Sequence, residues 1–333
     1  MKMPVRLLFA FCVFVLFVPA QFVEAKVTRY LTGNAGDVSP VLRGPVLDLG
    51  GGSTDVDEAF QSMFDQVRGC VKCDTKLDVV ILRASGSNGY NDYLYAMNGV
   101  DSVESLVITS RKDADTAEVE ATVQKAEVVF FAGGDQCDYT SYFKGTRVET
   151  AVESVYARGG GIGGTSAGCA ILGDFTFDAC NGTIVSSDAL ANPYNRRMSF
   201  TFDFFHFQGL QNTITDQHFV ARDRMGRLLA FIARLIQDGV APNVLGLAVN
   251  EETSVVVDVN GVATVLGNGP AYFILGDHLP EVCQPKIPLT YSNYKIWRRD
   301  SGETFSLQNR PTSGYYLRSV VNGEIQGGDP YQQ

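Results

Sequence analysis

Hydrophobic and polar positions follow one another along the chain in blocks that predict strands alternating with helices. Val128 to Phe131 is apolar throughout and Val46 to Leu49 nearly so, as the buried strands of parallel sheets are. Between such runs lie amphipathic stretches, and Met225 to Gln237 places its apolar residues on one stripe before Gly239 ends it. This alternation predicts crossover units around a parallel sheet. The predicted strands are 46–49, 77–82, 105–109 and 128–131, and the predicted helices are 57–67, 114–125, 148–158 and 225–237.

The last third of the chain changes to a β pattern. Two apolar runs, 255–259 and 262–266, flank Asn260-Gly261, a two-residue sequence that favours a tight hairpin turn. Residues 294–307 alternate in the same way. Because no repeat or linker interrupts the chain, we expect a single domain over residues 26–333. Its predicted class is α/β, with a mostly parallel, doubly wound sheet flanked by helices and β-hairpins in the C-terminal part.

The first 25 residues have the layout of a secretory signal peptide. Lys2 and Arg6 give a basic start, the 14 residues of 7–20 are almost all apolar, and Ala25 supplies a small residue for cleavage. The apolar run is shorter than the ~20 residues that cross a bilayer, which disfavours an uncleaved anchor. We therefore expect cleavage after Ala25, or alternatively after Ala20, and a protein secreted to the periplasm or the extracellular space.

Charge and cysteine content narrow the classes of function. The 37 acidic residues exceed the 27 basic ones, which argues against binding nucleic acid through a broadly basic surface. Beyond the signal peptide lie six cysteines, an even number that favours disulfides in an oxidising compartment but leaves their pairing open. Cys70-Val71-Lys72-Cys73 predicts a small loop bridge, since nothing nearby completes a zinc site. Asn181-Gly182-Thr183 is an N-glycosylation acceptor sequence, relevant only in a eukaryotic host. No metal or organic cofactor is implied.

A candidate nucleophile lies in residues 164–168, Gly-Thr-Ser-Ala-Gly. The G-x-S-x-G spacing fits a sharp strand-to-helix turn that exposes the Ser166 hydroxyl and directs the Ala167 N–H towards a developing oxyanion. Ligands of parallel sheets bind at the carboxyl ends of the strands, where glycines 50–52 and 133–134 also fall. By itself the motif is equally compatible with a tight turn whose serine is inert.

A serine nucleophile needs a base, and the chain has three histidines. His206 lies among phenylalanines, where a packed core or loop role is expected. His278 follows a predicted strand and has the setting of a turn residue. His218 lies in the polar segment 216–219, before the helix predicted at 225–237, and polar residues at such a boundary suit a binding cleft.

Three motifs taken together resemble those of a known family. Gly133-Gly134-Asp135-Gln136, the pentapeptide 164–168 and Asp216-Gln217-His218-Phe219 with its trailing arginines are similar to the motifs of the cyanophycinase-type serine peptidases. That family belongs with the dipeptidase E group on a class I glutamine amidotransferase-like fold. The resemblance covers roughly Val46 to Leu275, with the three motifs in the expected order.

The resemblance implies a catalytic triad. Ser166 corresponds to the nucleophile, and His218 to the general base that later protonates the leaving amine. The acidic member corresponds to Glu251, which would hold the imidazole tautomer and stabilise the imidazolium. Glu252 remains an alternative, because Asn250 stands where an aspartate often precedes the glutamate in the family.

The resemblance also implies an oxyanion hole and a substrate pocket. Backbone N–H groups of the Gly134-Asp135 turn would pair with that of Ala167. Arginine offers a carboxylate a two-pronged fork, and Asp or Gln can hold a cationic or amide group. Arg227 lies further into the predicted helix than Arg222 and Arg224, so a role on the helix surface also explains it. The residues that match the family's pocket are Gln136, Asp216, Gln217, Arg222, Arg224 and Arg227.

These inferences predict a secreted serine peptidase that hydrolyses Asp-containing peptides through an acyl-enzyme. The favoured substrate is cyanophycin, an aspartate backbone with arginines in isopeptide linkage, cleaved to β-Asp-Arg dipeptides. Two alternatives stay open: an α/β-hydrolase esterase using Ser166, Asp258 and His278, and a non-catalytic binding relative of the same fold. The expected partner is a peptide or a cyanophycin-like polymer, with no nucleic acid and no stable membrane anchor. Monomer and homodimer are both open.

Overall fold

The computed structural model describes residues 27–333, so the predicted signal peptide, 1–25, lies outside the described residues. Within 27–333 no helix has the length and apolar character to cross a membrane. The helices are α1 (Asp57–Arg68), α2 (Asn91–Tyr95), α3 (Arg111–Ala114), α4 (Ala117–Lys125), α5 (Gln136–Phe143), α6 (Arg147–Ala157), α7 (Ala167–Ala170), α8 (Ser186–Ala191) and α9 (Met225–Gln237). The strands of the first part are β1 (Thr28–Gly33), β2 (Val46–Gly50), β3 (Leu77–Arg83), β4 (Val100–Val107), β5 (Val128–Phe131), β6 (Gly161–Thr165), β7 (Thr176–Phe177), β8 (Phe200–Thr201) and β9 (Thr213–Asp216). The remaining strands are β10 (Val244–Val249), β11 (Thr253–Val257), β12 (Val262–Gly267), β13 (Ala271–Gly276), β14 (Tyr291–Arg299), β15 (Thr304–Ser306), β16 (Tyr316–Val321) and β17 (Glu324–Gln326).

The larger sheet has nine strands in the order β1-β4-β3-β5-β6-β2-β11-β12-β15. Its centre, β4-β3-β5-β6-β2, is parallel, and the strands on either side are antiparallel. Alternate residues of β3 show that both faces are covered: Val79 and Ile81 pack with α1, whereas Val80 and Leu82 pack with α4 and α6. This doubly wound arrangement confirms the α/β class predicted from the sequence.

The second sheet has six strands in the order β17-β16-β14-β13-β10-β9. Only β9 and β10 are parallel to each other, and the other pairs are antiparallel. The apolar stripe of α9 packs on this sheet, and Ile232 lies close to the glycines Gly246 and Gly276 of two of its strands. The predicted helix 225–237 and the predicted strand 128–131 coincide with α9 and β5.

One predicted helix was wrong in part. The helix predicted over 114–125 is divided, because the Thr116 hydroxyl accepts a hydrogen bond from the Val119 N–H (3.4 Å) and caps a new helix there. The alternating residues 294–307 form two strands in different sheets: β14 pairs with β13 and β16, whereas β15 pairs with β12 in the larger sheet. A turn between β14 and β15 therefore carries the chain from one sheet to the other.

Four cysteines of residues 27–333 form two disulfides. Cys70 is bonded to Cys73, as the predicted loop bridge, and Cys137 is bonded to Cys180. The second bond joins the first turn of α5 to the irregular segment after β7. Two further cysteines, Cys169 and Cys283, are buried thiols.

Candidate active site

Ser166 lies on a sharp turn between β6 and α7. Its backbone has φ +52° and ψ −117°, a conformation that a non-glycine residue adopts only when the surroundings enforce it. The flanking glycines permit the turn, because a Cβ on Gly164 would lie 2.5 Å from the carbonyl carbon of Gly168. A Cβ on Gly168 would lie 2.1 Å from the carbonyl oxygen of Phe131. The G-x-S-x-G spacing therefore reflects close backbone approach on both sides of the serine.

Three side chains form a hydrogen-bonded chain at this turn. Ser166 Oγ is 2.7 Å from His218 Nε2, and His218 Nδ1 is 2.7 Å from Glu251 Oε1. A carboxylate only accepts, so the Nδ1–H donates to Glu251 and Nε2 is left to accept from the serine hydroxyl. Glu252 lies elsewhere, its carboxylate accepting from the Asn268 amide (3.1 Å). Of the two candidate acids, the structure thus brings Glu251 to the histidine.

Backbone contacts hold His218 in place. Its N–H donates to the carbonyl of Gly51 (2.8 Å), and the next turn of chain is tied by Val220 N–H to the Asn250 side chain (3.2 Å). Gly52 lies against the imidazole, since a Cβ there would be 2.3 Å from His218 Cε1. The roles of Gly51, Gly52 and Asn250 were not predicted from the sequence. The glycine run at the end of β2 was the available signal.

The imidazole is held in its neutral form. Burial is the main effect and lowers the pKa of His218 below its ordinary value of 6.5, and the positive charges of Arg222 and Arg224 lower it further. The hydrogen bond to Glu251 acts in the opposite direction without cancelling them. At neutral pH, His218 is therefore able to accept a proton from Ser166.

The predicted oxyanion residues lie beside the serine. Gly134, Asp135 and Ala167 line the same cavity as Ser166. The end of β5 approaches closely, because a Cβ on Gly133 would be 3.6 Å from Ser166 Cβ. The Asp135 carboxylate is occupied as the N-cap of α5, where it accepts from the Cys137 N–H (2.9 Å).

A cavity of about 420 Å³ opens in front of Ser166 and His218. Five of the six residues predicted for the substrate pocket line it, and Asp216 does not. Asp216 is 1% exposed and lies behind the cavity, where it accepts from Arg227 Nε (2.8 Å) and lies 3.4 Å from Arg224 Nη1. Asp216 therefore holds the arginines in position instead of binding substrate, because a buried carboxylate already paired with guanidinium groups has few hydrogen-bonding positions left. The lining residues of the prediction are Gln136, Gln217, Arg222, Arg224 and Arg227.

The three arginines differ in how much of their bonding capacity is used. Arg227 is not on the surface: besides Asp216 it donates to Thr183 Oγ1 (3.2 Å) and to the Ile184 carbonyl (3.4 Å). Arg224 donates to the Gln217 carbonyl (2.8 Å), and burial lowers the pKa of its guanidinium to about 10, so it stays charged at neutral pH. Arg222 is exposed at the cavity.

The alternative triad of Ser166, Asp258 and His278 is not assembled. The ring nitrogens of His278 lie 2.9 Å from the carbonyl oxygens of Leu279 and Ser292. Asp258 accepts from backbone N–H groups of the β11–β12 turn. His206 is also outside the site, with 59% of its side chain exposed and its Nδ1 3.6 Å from Asp174.

Possible metal ligands are not gathered anywhere in the described part of the chain. Across residues 27–333 no group of three or more His, Cys, Asp or Glu side chains is arranged to hold a metal ion.

The fold and the serine–histidine–glutamate chain together define a serine hydrolase, and comparison with known proteins places it among the peptidases. Residues 47–234, more than half of the chain, match Peptidase family S51, and the chain belongs to this family of serine peptidases. It is 29% identical over 219 residues to a cyanophycinase of Nostoc sp., covering 64% of this chain and 67% of that protein. It is 28% identical over 213 residues to a cyanophycinase of Synechococcus elongatus, covering 63% and 57%.

A solved structure has the same fold. The crystal structure of a peptidase from an acI-B1 Actinobacterium superposes with a TM-score of 0.55 at 15% identity, covering 80% of this chain and 98% of that one. This similarity confirms the fold predicted from the sequence, and the family match confirms the serine peptidase class.

Proposed function

We propose that this chain is a secreted serine peptidase that hydrolyses Asp-containing peptides through an acyl-enzyme, with cyanophycin as the favoured substrate. The observation that carries the proposal is the Ser166–His218–Glu251 chain, with 2.7 Å at both contacts, beside a cavity lined by three arginines. The relatives named cyanophycinase support the choice of polymer.

The first half of the reaction would form the acyl-enzyme. Ser166 Oγ attacks the scissile carbonyl carbon while its proton passes to His218 Nε2, and Glu251 stabilises the resulting imidazolium. The carbonyl oxygen becomes an oxyanion, for which the N–H groups of Ala167 and of the Gly134-Asp135 turn are the proposed donors. Collapse of the tetrahedral species breaks the C–N bond, and the His218 proton goes to the leaving amine.

The second half would release the peptide. A water molecule loses a proton to His218 and attacks the ester carbon of acylated Ser166. The C–O bond of the ester then breaks, the proton on His218 passes to Ser166 Oγ, and the product leaves as a carboxylic acid that releases its remaining proton to the solvent as it becomes a carboxylate. No group outside the chain is needed for this balance beyond the substrate and water.

The charges around the cavity favour a substrate that carries an acidic group. Three guanidinium groups line the cavity with one carboxylate, that of Asp135, while the buried Asp216 pairs with Arg224 and Arg227 from behind, so positive groups outnumber negative ones on its surface. Arg222 and the free edge of Arg224 are the proposed contacts for a substrate carboxylate, since Arg227 is already bonded on several sides. Gln136 and Gln217 offer amide groups for a peptide or guanidinium group.

Secretion forms part of the proposal. Two features support it: the signal-peptide layout of residues 1–25, and two disulfides, which persist in oxidising compartments. Fractionation of cells that produce the full chain, with N-terminal sequencing of the exported product, tests it. A protein retained in the cytosol with an intact N-terminus would contradict it.

The decisive experiment is incubation of residues 26–333 with cyanophycin and with α- and β-linked Asp-Arg dipeptides, followed by mass analysis of the products. We expect β-Asp-Arg from cyanophycin and no product with Ser166→Ala. Separate His218→Ala and His278→Ala variants complete the test, and only the first should abolish cleavage. Loss of activity in His278→Ala alone would favour the esterase arrangement. A folded chain that gives no serine adduct with a fluorophosphonate would favour a binding role.

A further inference from the structure

The two walls of the active-site cavity belong to different parts of the core. One wall begins with the oxyanion residues and continues into α5, whose Tyr139 and Phe143 pack in the core of the nine-stranded sheet. A second wall is the segment 179–186, which follows Phe177 and includes Ile184. Both of these pack in the core around α9. Substrate would therefore bind between two separately packed parts of the molecule.

The Cys137–Cys180 disulfide joins these two walls. Cys137 lies next to Gln136, in the first turn of α5, and Cys180 lies between the wall residues Ala179 and Gly182. The polar contacts that accompany it are long: Gln136 Nε2 lies 3.5 Å from the Phe177 carbonyl oxygen, and Thr140 Oγ1 lies 3.9 Å from Cys180 Sγ. Hydrogen bonds at such distances are weak, so the covalent bond is the strong link between the two walls.

The two ends of the 179–186 wall are anchored independently of the disulfide. Before it, the Asp178 carboxylate accepts from the Cys180 N–H (2.9 Å) and the Thr201 hydroxyl (3.0 Å). Near its other end, Arg227 donates to Thr183 and Ile184. Without the disulfide the wall would therefore stay attached to its own side but lose its fixed distance from α5.

We propose that Cys137 and Cys180 are positioning residues of this active site. Their disulfide holds the 179–186 wall at a fixed distance from the Gly134-Asp135 turn and so sets the affinity for substrate. The inference rests on the proposed function, because it assigns substrate to the cavity between these walls. The triad itself does not depend on the disulfide, since the backbone of Gly51 and the side chain of Asn250 hold the His218 turn.

The bond can be opened chemically. Cys180 is exposed, so a small dithiol such as dithiothreitol has access to it. In the exchange the two protein sulfurs each gain a proton and an electron, and dithiothreitol is oxidised to its cyclic disulfide. Reduction should raise KM, and reoxidation should restore it.

The test compares two double variants. Cys137→Ser/Cys180→Ser removes the bond at the cavity, and Cys70→Ser/Cys73→Ser removes the other disulfide by the same chemical change at the end of α1. With cyanophycin as substrate we expect the first to raise KM ~10-fold while kcat changes by less than ~3-fold. Its fluorophosphonate labelling rate should stay within ~3-fold, and the control should match the wild type. A KM equal to that of the wild type would overturn the inference.

Two further outcomes can be distinguished from a change in KM alone. Parallel losses of kcat, labelling and thermal stability would show that the disulfide serves stability alone, which also overturns the inference. If Cys137→Ser/Cys180→Ser does not fold, dithiothreitol is applied to the folded Cys70→Ser/Cys73→Ser variant, in which Cys137–Cys180 is the disulfide left to reduce. A wild-type chain that is not labelled at all would indicate failure of the proposed function rather than of this inference.

Discussion

Gly52 lies directly against the imidazole of His218, and a Cβ at Gly52 would be 2.3 Å from His218 Cε1. Its φ of +98° adds a conformational reason for glycine at this position. The glycine turn that follows β2 therefore packs directly against the histidine ring. This contact explains why a glycine cluster, which matches no ligand-binding motif, occurs at the site.

We expect Gly52→Ala to lower kcat/KM ~100-fold or more, because the methyl group displaces the imidazole from Ser166. Steady-state kinetics on cyanophycin would measure the loss, with circular dichroism to check the fold. Gly328→Ala is the matched control: Gly328 also has φ +98° but no neighbour within 4 Å of its Cβ position. Equal effects in the two variants would mean that strain, not contact with His218, is responsible.

Exchanging the two adjacent glutamates for glutamine should separate their roles. Glu251→Gln keeps the shape but removes the charge that orients and stabilises the imidazolium, and we expect kcat to fall ~100- to 10,000-fold. Glu252→Gln should leave kcat within ~2-fold, because its carboxylate contacts Asn268 instead of the histidine. A larger loss in Glu252→Gln than in Glu251→Gln would contradict the assignment.

The pH dependence of serine labelling should report on His218. Since the base must be neutral, the labelling rate should rise with pH through an inflection below 6.5, the direction in which burial and the nearby arginines move this pKa. Arg222→Gln removes a positive charge that opposes the imidazolium, so the inflection should move to higher pH. Fluorophosphonate labelling measures this without dependence on the substrate pocket. Arg196→Gln, an exposed arginine not among the charges acting on His218, should leave the inflection unchanged.

Asp48 should make the fold less stable as pH rises. Burial raises its pKa to about 7 from 3.8, against the opposing hydrogen bond from Ser254. Between these values the folded state binds a proton that the unfolded state does not, so unfolding free energy falls with pH, by at most ~1.4 kcal/mol per unit. Asp48→Asn should abolish this dependence and be the more stable form at pH ~8. Urea denaturation at several pH values measures it, with exposed Asp74→Asn as control; identical slopes in Asp48→Asn and wild type would refute it.

Much of the fold follows from local patterns. Helix 225–237 was predicted with its observed bounds, because its apolar stripe is long and Gly239 lies just beyond its end. The divided helix at Thr116 was missed because the cap depends on one hydroxyl within an otherwise continuous helical pattern. Helix α5 was missed as well, since its apolar residues are few and their burial depends on the β5–β6 side of the sheet.

Short sequence motifs identified chemical groups of the site, but they did not predict how these groups are arranged in space. The sequence by itself indicated Ser166 and His218, since a nucleophile elbow and a polar histidine segment are recognisable from neighbouring residues. Tertiary structure decided three points: Glu251 and not Glu252 contacts His218, Asp216 lies behind the arginines, and Cys137 is paired with Cys180. His218 and Glu251 are 33 residues apart and Cys137 and Cys180 are 43 apart, so their contacts depend on how the two sheets and their helices pack together. Asp216 and Arg227 are closer in sequence, but they meet only through the turn that places the start of α9 beside the end of β9.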